Sequence, residues 1–399
     1  MLPVAIDKGV HWIGINDRTL DLFEGLWPVG AEGVSYNAYL VADRKAALID
    51  LARGTKGEEF FDRIEQLRKV SSIDYLVVNH LEPDHSGLLT TLRTLSPGVT
   101  ILCTPKCKEM LEGFYSVTEG VHAVQDGETL SLGETELQFF HAPFLHWPET
   151  MVTFDCTHGI LFSCDAFGGY GALQGALFDD EYADIAFYER QALRYFVNII
   201  AKFCRPVLQA VEKLQGLDIR VVAPSHGLAW RGNPRRIVEL YAKWAGYGKE
   251  PAEPGVTLVY GSMYGFTEQM MNAVASGISR AGVPMEIFDA ARTHVSYILP
   301  SLWTRTGVVV GAPTYEGALF PAVEQVLQMA ATKRVQNKKV ARFGSYGWRG
   351  GAQRGCEALF ERLKWEQTDV LEFCGKPTDE ELRKGVAFGE RFARMIAGG

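Results

Sequence analysis

The chain has 399 residues, of which 47% are hydrophobic and 22% are charged. This balance is typical of a globular protein and excludes a disordered or fibrous chain, and the length predicts two domains. The net charge of −8 argues against a nucleic-acid-binding protein, because such proteins need a basic surface that neutralises phosphates.

The N-terminal residues lack a basic, apolar leader, and no later stretch is continuously apolar over the length of a membrane span. We therefore expect a cytoplasmic protein with no membrane partner. The seven cysteines are scattered, which is typical of reduced thiols. Cys103 and Cys107 form neither a CxxC motif nor half of a rubredoxin-type iron site, so no such redox module is predicted.

The first part of the chain predicts a layered α/β sandwich, because segments with strand periodicity alternate with segments of helical spacing. The predicted elements are, in chain order, strands over 39–43 and 46–50, a helix over 60–70, a short buried strand over 75–78, and strands of a second sheet over 130–141 and 151–162.

A stretch rich in glycine, proline and charge, 246–255, predicts an interdomain linker. Beyond it, strands alternate with helical segments, which predicts a doubly wound parallel sheet that binds ligands at the carboxyl ends of its strands. The predicted elements are strands over 256–260, 307–311 and 339–343 and a helix over 268–281.

Four potential metal ligands lie within six positions directly after the predicted strand at 75–78. They are His80, Glu82, Asp84 and His85. Any one of them alone would more simply be a helix cap or a solvated acid, but the four together predict a loop that holds two ions. Their nitrogen and oxygen atoms suit iron, manganese or zinc. Three further candidates each follow a predicted strand: His146, Asp165 and His226.

The motifs HxExDH, LHWP, SxD and PxHG together resemble those of the flavodiiron proteins, and the resemblance covers essentially the whole chain. Ordinary members of the metallo-β-lactamase fold carry HxHxDH, and Glu82 in place of the middle histidine points to a di-iron centre. The resemblance implies an N-terminal metallo-β-lactamase-like αββα sandwich over 1–250 and a C-terminal flavodoxin-like domain over 254–399.

The same resemblance implies which residue binds which metal. It assigns His80, Glu82 and His146 to one iron, Asp84, His85 and His226 to the other, and Asp165 to both as a bridge. Three carboxylates against two divalent ions leave one positive charge, which a bridging hydroxide can neutralise while open positions admit a diatomic ligand.

Three other residues near these motifs need an interpretation. The resemblance places Trp147 and Tyr195 near the di-iron pocket, although an aromatic residue is more often part of a core. His141 lies five positions before His146 and competes with it as a ligand. No family motif places a metal at His141, so we expect it to have a supporting or structural role.

Three loops that follow predicted strands predict a flavin site. The first opens a helix, where hydroxyls and backbone amides can bind a phosphate, and the other two carry aromatic residues for an isoalloxazine ring. The sequence lacks GxGxxG and a second basic cluster, so FMN is favoured over FAD or NAD. The predicted FMN-binding residues are Ser262, Met263, Tyr264, Gly265, Phe266 and Thr267; Pro313, Thr314, Tyr315, Glu316, Gly317 and Ala318; and Ser345, Tyr346, Gly347, Trp348 and Gly350.

The resemblance departs from the family pattern at Glu316, where many relatives have asparagine, so the charge beside the flavin differs. It otherwise implies a cytoplasmic oxidoreductase in which FMN passes electrons to the di-iron site, which reduces O2 to water or NO to nitrous oxide. It also implies an external electron donor such as rubredoxin, and a head-to-tail homodimer that can pair again into a dimer of dimers.

Two other functions compete with this one. A zinc hydrolase could keep the metallo-β-lactamase scaffold with a regulatory flavodoxin domain, although Glu82 argues against it. A flavin redox relay or gas sensor would dock a partner, but it would not need all seven metal ligands.

Overall fold

Two units make up the chain, Met1–Ala245 and Gly246–Gly399. The computed structural model describes residues 2–398. The domain ranges expected from the sequence, 1–250 and 254–399, differ from this division by a few residues and stay a prediction. No helix in residues 2–398 is both long enough and apolar enough to cross a membrane.

The strands of the first unit are short, and most belong to two sheets. They are, in chain order, β1 (Val4–Asp7), β2 (Val10–Trp12), β3 (Ile15–Asp17), β4 (Leu22–Phe23), β5 (Trp27–Pro28), β6 (Val34–Tyr36), β7 (Tyr39–Ala42), β8 (Ala46–Ile49), β9 (Tyr75–Val77), β10 (Thr100–Cys103), β11 (Val121–Ala123), β12 (Thr129–Ser131), β13 (Glu136–His141), β14 (Met151–Asp155), β15 (Ile160–Cys164) and β16 (Val221–Pro224).

The helices of this unit cover the sheets or connect their strands. They are α1 (Gly57–Glu65), α2 (Pro83–Ser86), α3 (Leu89–Leu95), α4 (Pro105–Tyr115), α5 (Ile185–Tyr195), α6 (Cys204–Leu214) and α7 (Pro234–Gly246), with a π-helical turn at Phe196–Ile200 directly after α5.

A seven-stranded sheet has the order β1-β2-β7-β8-β9-β10-β11, and a five-stranded sheet has the order β12-β13-β14-β15-β16. The two sheets contact one another, since the rings of Tyr39 and Phe162 lie 5.0 Å apart. Every residue of β8, β14 and β15 is buried, as expected for strands covered on both faces. The predicted sandwich is confirmed, including the antiparallel pairing of β7 with β8.

The second unit alternates strands and helices, apart from a short hairpin that follows its third strand. Its elements are β17 (Glu253–Tyr260), α8 (Phe266–Arg280), β18 (Met285–Asp289), α9 (Val295–Thr304), β19 (Arg305–Gly311), β20 (Thr314–Tyr315), β21 (Ala318–Leu319), α10 (Pro321–Thr332), β22 (Lys339–Tyr346), α11 (Ala352–Leu363), β23 (Glu366–Cys374) and α12 (Asp379–Ala397).

The main sheet of this unit has the order β18-β17-β19-β22-β23, and all its neighbouring strands are parallel. This is the flavodoxin-like order, and the predicted doubly wound sheet is confirmed. The two largest differences from the predicted boundaries in this unit are of three residues each. Strand β17 begins at Glu253, inside the predicted linker, because Glu253 pairs with Arg305. Strand β22 extends to Tyr346, because β23 continues alongside it to Cys374.

Candidate metal centre and flavin pocket

The segment that enters the metal loop is held by buried hydrogen bonds. The Asp50 carboxylate accepts from the Asn79 backbone N–H at 2.8 Å and from its side-chain amide at 3.2 Å. The Asn79 carbonyl accepts from the N–H of Met151, in the other sheet, at 2.9 Å. Residue 79 is thus fixed to both sheets, and the position of His80 directly after it is fixed as well.

A single helical turn, α2, then reverses the chain. Pro83 occupies its first turn, where no backbone donor is needed, and the Ser86 hydroxyl donates to the Leu81 carbonyl at 2.6 Å. This turn lets Asp84 and His85 face the same point as His80, although only a few residues separate them.

All seven predicted ligands come together. The ligand atoms of each of two groups lie within 4.8 Å of one another; the first group is His80, Glu82, His146 and Asp165, and the second is Asp84, His85 and His226. The grouping matches the division between two irons implied by the resemblance. The assignment of each residue to a metal remains a prediction.

Asp165 lies between the two groups and turns one oxygen to each. Its Oδ2 is 3.5 Å from His80 Nε2 and 3.2 Å from His146 Nε2. Its Oδ1 is 3.0 Å from His85 Nε2 and 3.3 Å from His226 Nε2. A carboxylate placed in this way has the geometry of a bridge between two cations.

Neighbouring acceptors orient two of the histidines. The Nδ1 atom of His80 is 2.7 Å from a Glu149 oxygen, and that of His226 is 2.7 Å from the Ser35 carbonyl. A carboxylate or carbonyl at Nδ1 favours a proton there, so Nε2 of each ring is free to bind a metal. The same Glu149 oxygen accepts from the Leu81 N–H at 3.0 Å, which fixes its own position.

The carboxylates dominate the electrostatics of the cluster. Burial alone would lower the pKa of His146 and His226, but contacts with Asp165 and with Glu82 or Asp84 raise these values to about 9 and about 10. Burial alone would raise the pKa of Glu82, but hydrogen bonds from His146 and His80 lower it to about 2. The ionised carboxylates therefore attract positive charge, and bound cations would replace these protons.

Several ligand atoms have no hydrogen-bond partner although they are buried. Among residues 2–398 these include Asp84 Oδ1, His85 Nε2, Asp165 Oδ1 and His226 Nε2. A buried polar atom without a partner costs about 1–3 kcal/mol, and here four such atoms surround one small space. Two cations bound by hard oxygen and imidazole ligands would satisfy all four, so the residues present fit a di-metal centre.

A cysteine also lies close to the cluster, although the sequence predicted a site without thiol ligands. Cys164 approaches His85 and Asp165 closely enough to share a metal with them. Burial and the negative charge of Asp165 raise the pKa of its thiol well above the ordinary value. The thiol is therefore protonated at neutral pH, and the seven predicted ligands do not include it.

Aromatic rings enclose the cluster. Phe23 and Tyr195 lie 5.3 Å and 5.5 Å from the ring of His226, and Trp147 lies 5.0 Å from that of His80. The sequence prediction that Tyr195 and Trp147 lie near the metal pocket agrees with these distances, but their roles remain a proposal. A cavity of 230 Å³ opens beside two of the ligands; it is lined by Leu22, Phe23, Glu24, Gly25, Tyr36, Arg53, Glu82, Pro83 and Asp84.

His141 belongs to neither ligand group. Its Nε2 lies 3.1 Å from the Val124 carbonyl, and its backbone N–H donates to Asp126 at 2.9 Å. These bonds join the end of β13 to the segment after β11. This is the structural role expected for His141.

In the second unit, a cavity of 580 Å³ opens at the carboxyl ends of the strands. Two aromatic side chains at its rim, Trp348 and Tyr264, are 97% and 83% exposed. Twelve of the predicted FMN residues line it together with Arg349 and Gly375, which the sequence did not single out. The twelve are Met263, Tyr264, Phe266, Pro313, Thr314, Tyr315, Glu316, Gly317, Ser345, Tyr346, Gly347 and Trp348.

The other five predicted FMN residues, Ser262, Gly265, Thr267, Ala318 and Gly350, do not line this cavity. The Ser262 hydroxyl accepts from the N–H of Gly265, which precedes α8 with a positive φ of 84°. The Thr267 hydroxyl is buried against that of Ser345, 2.9 Å away. The loop thus presents the N-terminus of a 15-residue helix, a suitable site for a phosphate.

Comparison with known proteins finds a matching family for each unit. The model of the ODP family beta lactamase matches residues 34–227, and the flavodoxin model matches residues 258–389. A nitric oxide reductase of Moorella thermoacetica is 34% identical over 99% of both chains. The rubredoxin oxygen:oxidoreductase of Desulfovibrio gigas has a TM-score of 0.94, with 28% identity over 99% of both chains. The flavodiiron protein of Giardia intestinalis also has a TM-score of 0.94, with 27% identity over 100% of this chain and 97% of that one.

The chain belongs to the flavodiiron protein family. A flavodiiron protein has a flavin and a di-iron centre as cofactors, and the chain has a separate unit suited to each. The cluster around Asp165 has the ligands for two irons, and the cavity beside Trp348 has the aromatic walls and the helix N-terminus for FMN.

The residues that support this site were not predicted from the sequence. Glu149 contacts His80 from 69 positions away, and only its place two residues after the LHWP motif's tryptophan hinted at a role. Ser35 orients His226 through a backbone carbonyl, which leaves no signal in the residue type. Gly375 lines the flavin cavity through the loop after β23, where no motif was recognised.

Proposed function

We propose that this chain reduces O2, NO or both at a di-iron centre, using electrons that reach it through FMN. Asp165 is the observation that carries the proposal, because its two oxygens face two separate groups of ligands. The names of the Moorella and Desulfovibrio proteins support these two gases as substrates. A zinc hydrolase would have no use for the flavin cavity of the second unit.

In this proposal, His80, Glu82 and His146 hold one iron, Asp84, His85 and His226 hold the other, and Asp165 bridges them. Bound iron supplies electrons to a diatomic gas. Reduction of one O2 to two waters takes four electrons and four protons, and reduction of two NO to nitrous oxide and one water takes two of each. The cavity beside Glu82 and Asp84 gives a small molecule access to the ligands.

The remaining residues of the site hold the ligands in place and limit the water around them. Glu149 and the Ser35 carbonyl fix the orientation of His80 and His226. Tyr195 is buried beside His226, and burial raises the pKa of its hydroxyl well above the ordinary value. The hydroxyl therefore remains protonated beside His226, while Trp147 packs against the ring of His80.

Electrons come from an external donor, for which a rubredoxin is our proposal. The name of the Desulfovibrio protein includes rubredoxin, and the exposed rim of the flavin cavity gives a small carrier access to the ring. Stopped-flow mixing with reduced rubredoxin should reduce the FMN rapidly and saturably. Equally rapid reduction by NADH alone would contradict this choice.

A head-to-tail homodimer would place the flavin of one chain beside the metals of the partner chain. Exposed apolar side chains near both sites support this proposal, since such patches often mark interfaces. Trp348 and Tyr264 are exposed at the flavin cavity, and Leu22 and Phe144 are 42% and 50% exposed near the metal ligands. A two-fold axis would make the two composite sites equivalent.

Mixed dimers test this assembly. One parent carries His80→Ala with Asp84→Ala and lacks metal; the other carries Thr267→Ala with Trp348→Ala and lacks FMN. Heterodimers should recover turnover that neither parent has, because one of their two composite sites is intact. Inactive heterodimers whose parents each retain the other cofactor would show that electrons do not cross between chains.

The function itself is tested on protein purified from iron-supplied cells. We expect about two irons and one FMN per chain, and consumption of O2 or NO with reduced rubredoxin. Parallel assays with each gas then determine the preference. Recovery of two zincs together with hydrolytic activity, and no gas consumption after iron loading, would overturn the proposal.

A further inference from the structure

The turn between β20 and β21 carries a residue that its backbone does not favour. Only Glu316 and Gly317 connect the two strands, and their φ angles are 48° and 75°. Positive φ at both central residues defines a type I′ turn, which favours Asn-Gly, Asp-Gly or Gly-Gly. Glutamate is rare in this conformation because its β-carbon crowds the backbone. A residue with an unfavourable backbone conformation at a binding site suggests a function for its side chain.

The turn is fixed in position on both sides. The Ala352 N–H donates to the Thr314 hydroxyl at 3.2 Å, which joins β20 to the start of α11. The Gly317 carbonyl lies so close to Gly351 that a β-carbon there would be 2.0 Å from its oxygen. The backbone of Glu316 therefore cannot withdraw from the flavin cavity.

Glu316 is one of two charged residues among the described residues that line this cavity, the other being Arg349. The rest of the lining is aromatic, apolar or neutral. Because Glu316 lines the cavity, its carboxylate lies near the isoalloxazine ring of an FMN bound there. Oxidised FMN has a neutral ring, and uptake of two electrons and one proton leaves the ring with one negative charge. Like charges repel, and because Glu316 is exposed, water weakens this repulsion without removing it.

We propose that Glu316 lowers the reduction potential of the bound flavin by weakening the binding of reduced FMN relative to oxidised FMN. This inference rests on the proposed function only for the presence of FMN in this cavity. A flavin made more strongly reducing in this way passes electrons to the metal centre with a larger driving force. Glu316 thus acts on the energetics of electron transfer and not on the chemistry of the gas.

Two substitutions separate the charge of Glu316 from its effect on the turn. Glu316→Gln removes the charge and keeps the side-chain length and the unfavourable backbone. Glu316→Asn removes the charge and also suits the type I′ turn. Glu361→Gln is the matched control, because it removes one exposed carboxylate from α11 of the same unit without touching the cavity.

The readout is the midpoint potential of the flavin in the full-length holoprotein, measured by anaerobic spectroelectrochemistry. The affinities of flavin-depleted protein for oxidised and for dithionite-reduced FMN give an independent value of the same shift. We expect both Glu316 variants to raise the affinity for reduced over oxidised FMN about tenfold, which is about +30 mV for the two-electron couple. Glu361→Gln should leave the potential unchanged.

Each other outcome has a definite meaning. An unchanged or lowered potential in both Glu316 variants would overturn the inference. A shift in Glu316→Asn but not in Glu316→Gln would also overturn it, because the turn and not the charge would then be responsible. Failure of the wild-type chain to bind FMN in either redox state would instead overturn the proposed flavin site itself.

Discussion

The metal cluster and the flavin cavity differ in how much of each the protein completes before a cofactor binds. His80, His85, Asp165 and His226 are at most 1% exposed, and buried acceptors such as Glu149 orient them. At the flavin cavity, by contrast, Trp348 is 97% exposed and Tyr264 is 83% exposed. The interior of the protein assembles the first site, whereas the second is a set of loops whose aromatic faces stay open.

This difference predicts that removal of the cofactor destabilises the two units to different extents. Removal of metal from the cluster leaves ionised carboxylates and unpartnered histidine nitrogens in a buried space, which is unfavourable. Removal of FMN from the cavity exposes side chains that already contact water. We therefore expect the first unit to lose stability without its metals, and the second unit to fold much the same without its flavin.

The largest expected effect tests the bridge. Asp165→Asn keeps the shape of the side chain but removes its charge, so both metals should bind weakly. Gas turnover should then fall at least 100-fold, while the FMN content stays at one per chain. The control is Asp155→Asn, a buried aspartate of the same sheet that pairs with His158 at 2.7 Å, outside the cluster. Iron analysis and oxygen-electrode or NO-electrode assays measure the outcome. Equal losses of iron and FMN would point to a folding defect instead.

A buried lysine in the second unit sharpens the comparison, because no charge among residues 2–398 offsets the effect of its burial on its pKa. Lys338 is buried and donates to the Trp303 carbonyl, and burial lowers its pKa from 10.5 to about 7. Between pH 7 and pH 10.5 the unfolded chain holds a proton that the folded chain has lost, so stability should rise with pH over this window and be lowest below pH 7.

Lys338→Met should remove this dependence. At pH 7 we expect the variant to be more stable than the wild type by on the order of 3 kcal/mol, with the difference shrinking towards pH 10. Urea unfolding of the FMN-loaded protein at both pH values measures it. A variant that is less stable at pH 7 would show that the hydrogen bond to Trp303 contributes more than the buried charge costs.

Glu149→Gln tests whether the metal ligands depend on buried support. The amide can still accept from the Leu81 N–H, but it cannot provide the charged acceptor for His80 Nδ1. We expect metal affinity to fall 10-fold to 100-fold, as is typical when such a partner is changed. Chelator competition against Glu136→Gln, an exposed carboxylate on β13, gives the comparison. Equal affinities in both variants would mean that His80 holds its orientation without Glu149.

The smallest effect concerns the open flavin site. Trp348→Ala removes an exposed ring, so FMN affinity should fall about 10-fold, which corresponds to the free energy of one stacked aromatic pair. The free energy of unfolding of the FMN-free variant should stay within about 0.5 kcal/mol of that of the wild type. Trp365→Ala provides the contrast, because Trp365 is 5% exposed and its loss should cost about 3 kcal/mol or more. Fluorescence titration and chemical denaturation measure both quantities.

The sequence predicted those parts of the molecule that are encoded over short stretches. The ligands at 80–85 lie close together along the chain, and the alternating strands and helices after residue 253 are each continuous segments, so local patterns were sufficient. Supporting contacts were not predictable, because Glu149 and Ser35 reach their histidines across 69 and 191 positions. The hairpin of β20 and β21 was also missed, since two-residue strands carry no periodicity.

The metal ligands come from two different sheets, which links metal binding to the lifetime of the protein. His80, Glu82, Asp84 and His85 follow β9 of the seven-stranded sheet, whereas Asp165 and His226 follow β15 and β16 of the five-stranded sheet. Bound metal would therefore add a connection between the ends of two sheets that side-chain packing and hydrogen bonds, such as the one from the Met151 N–H to the Asn79 carbonyl, already hold together. A ligand that binds only the folded state lowers the fraction of unfolded chains, which are the ones that proteases degrade. The amount of this protein in a cell should then follow the supply of iron, even when its synthesis is constant.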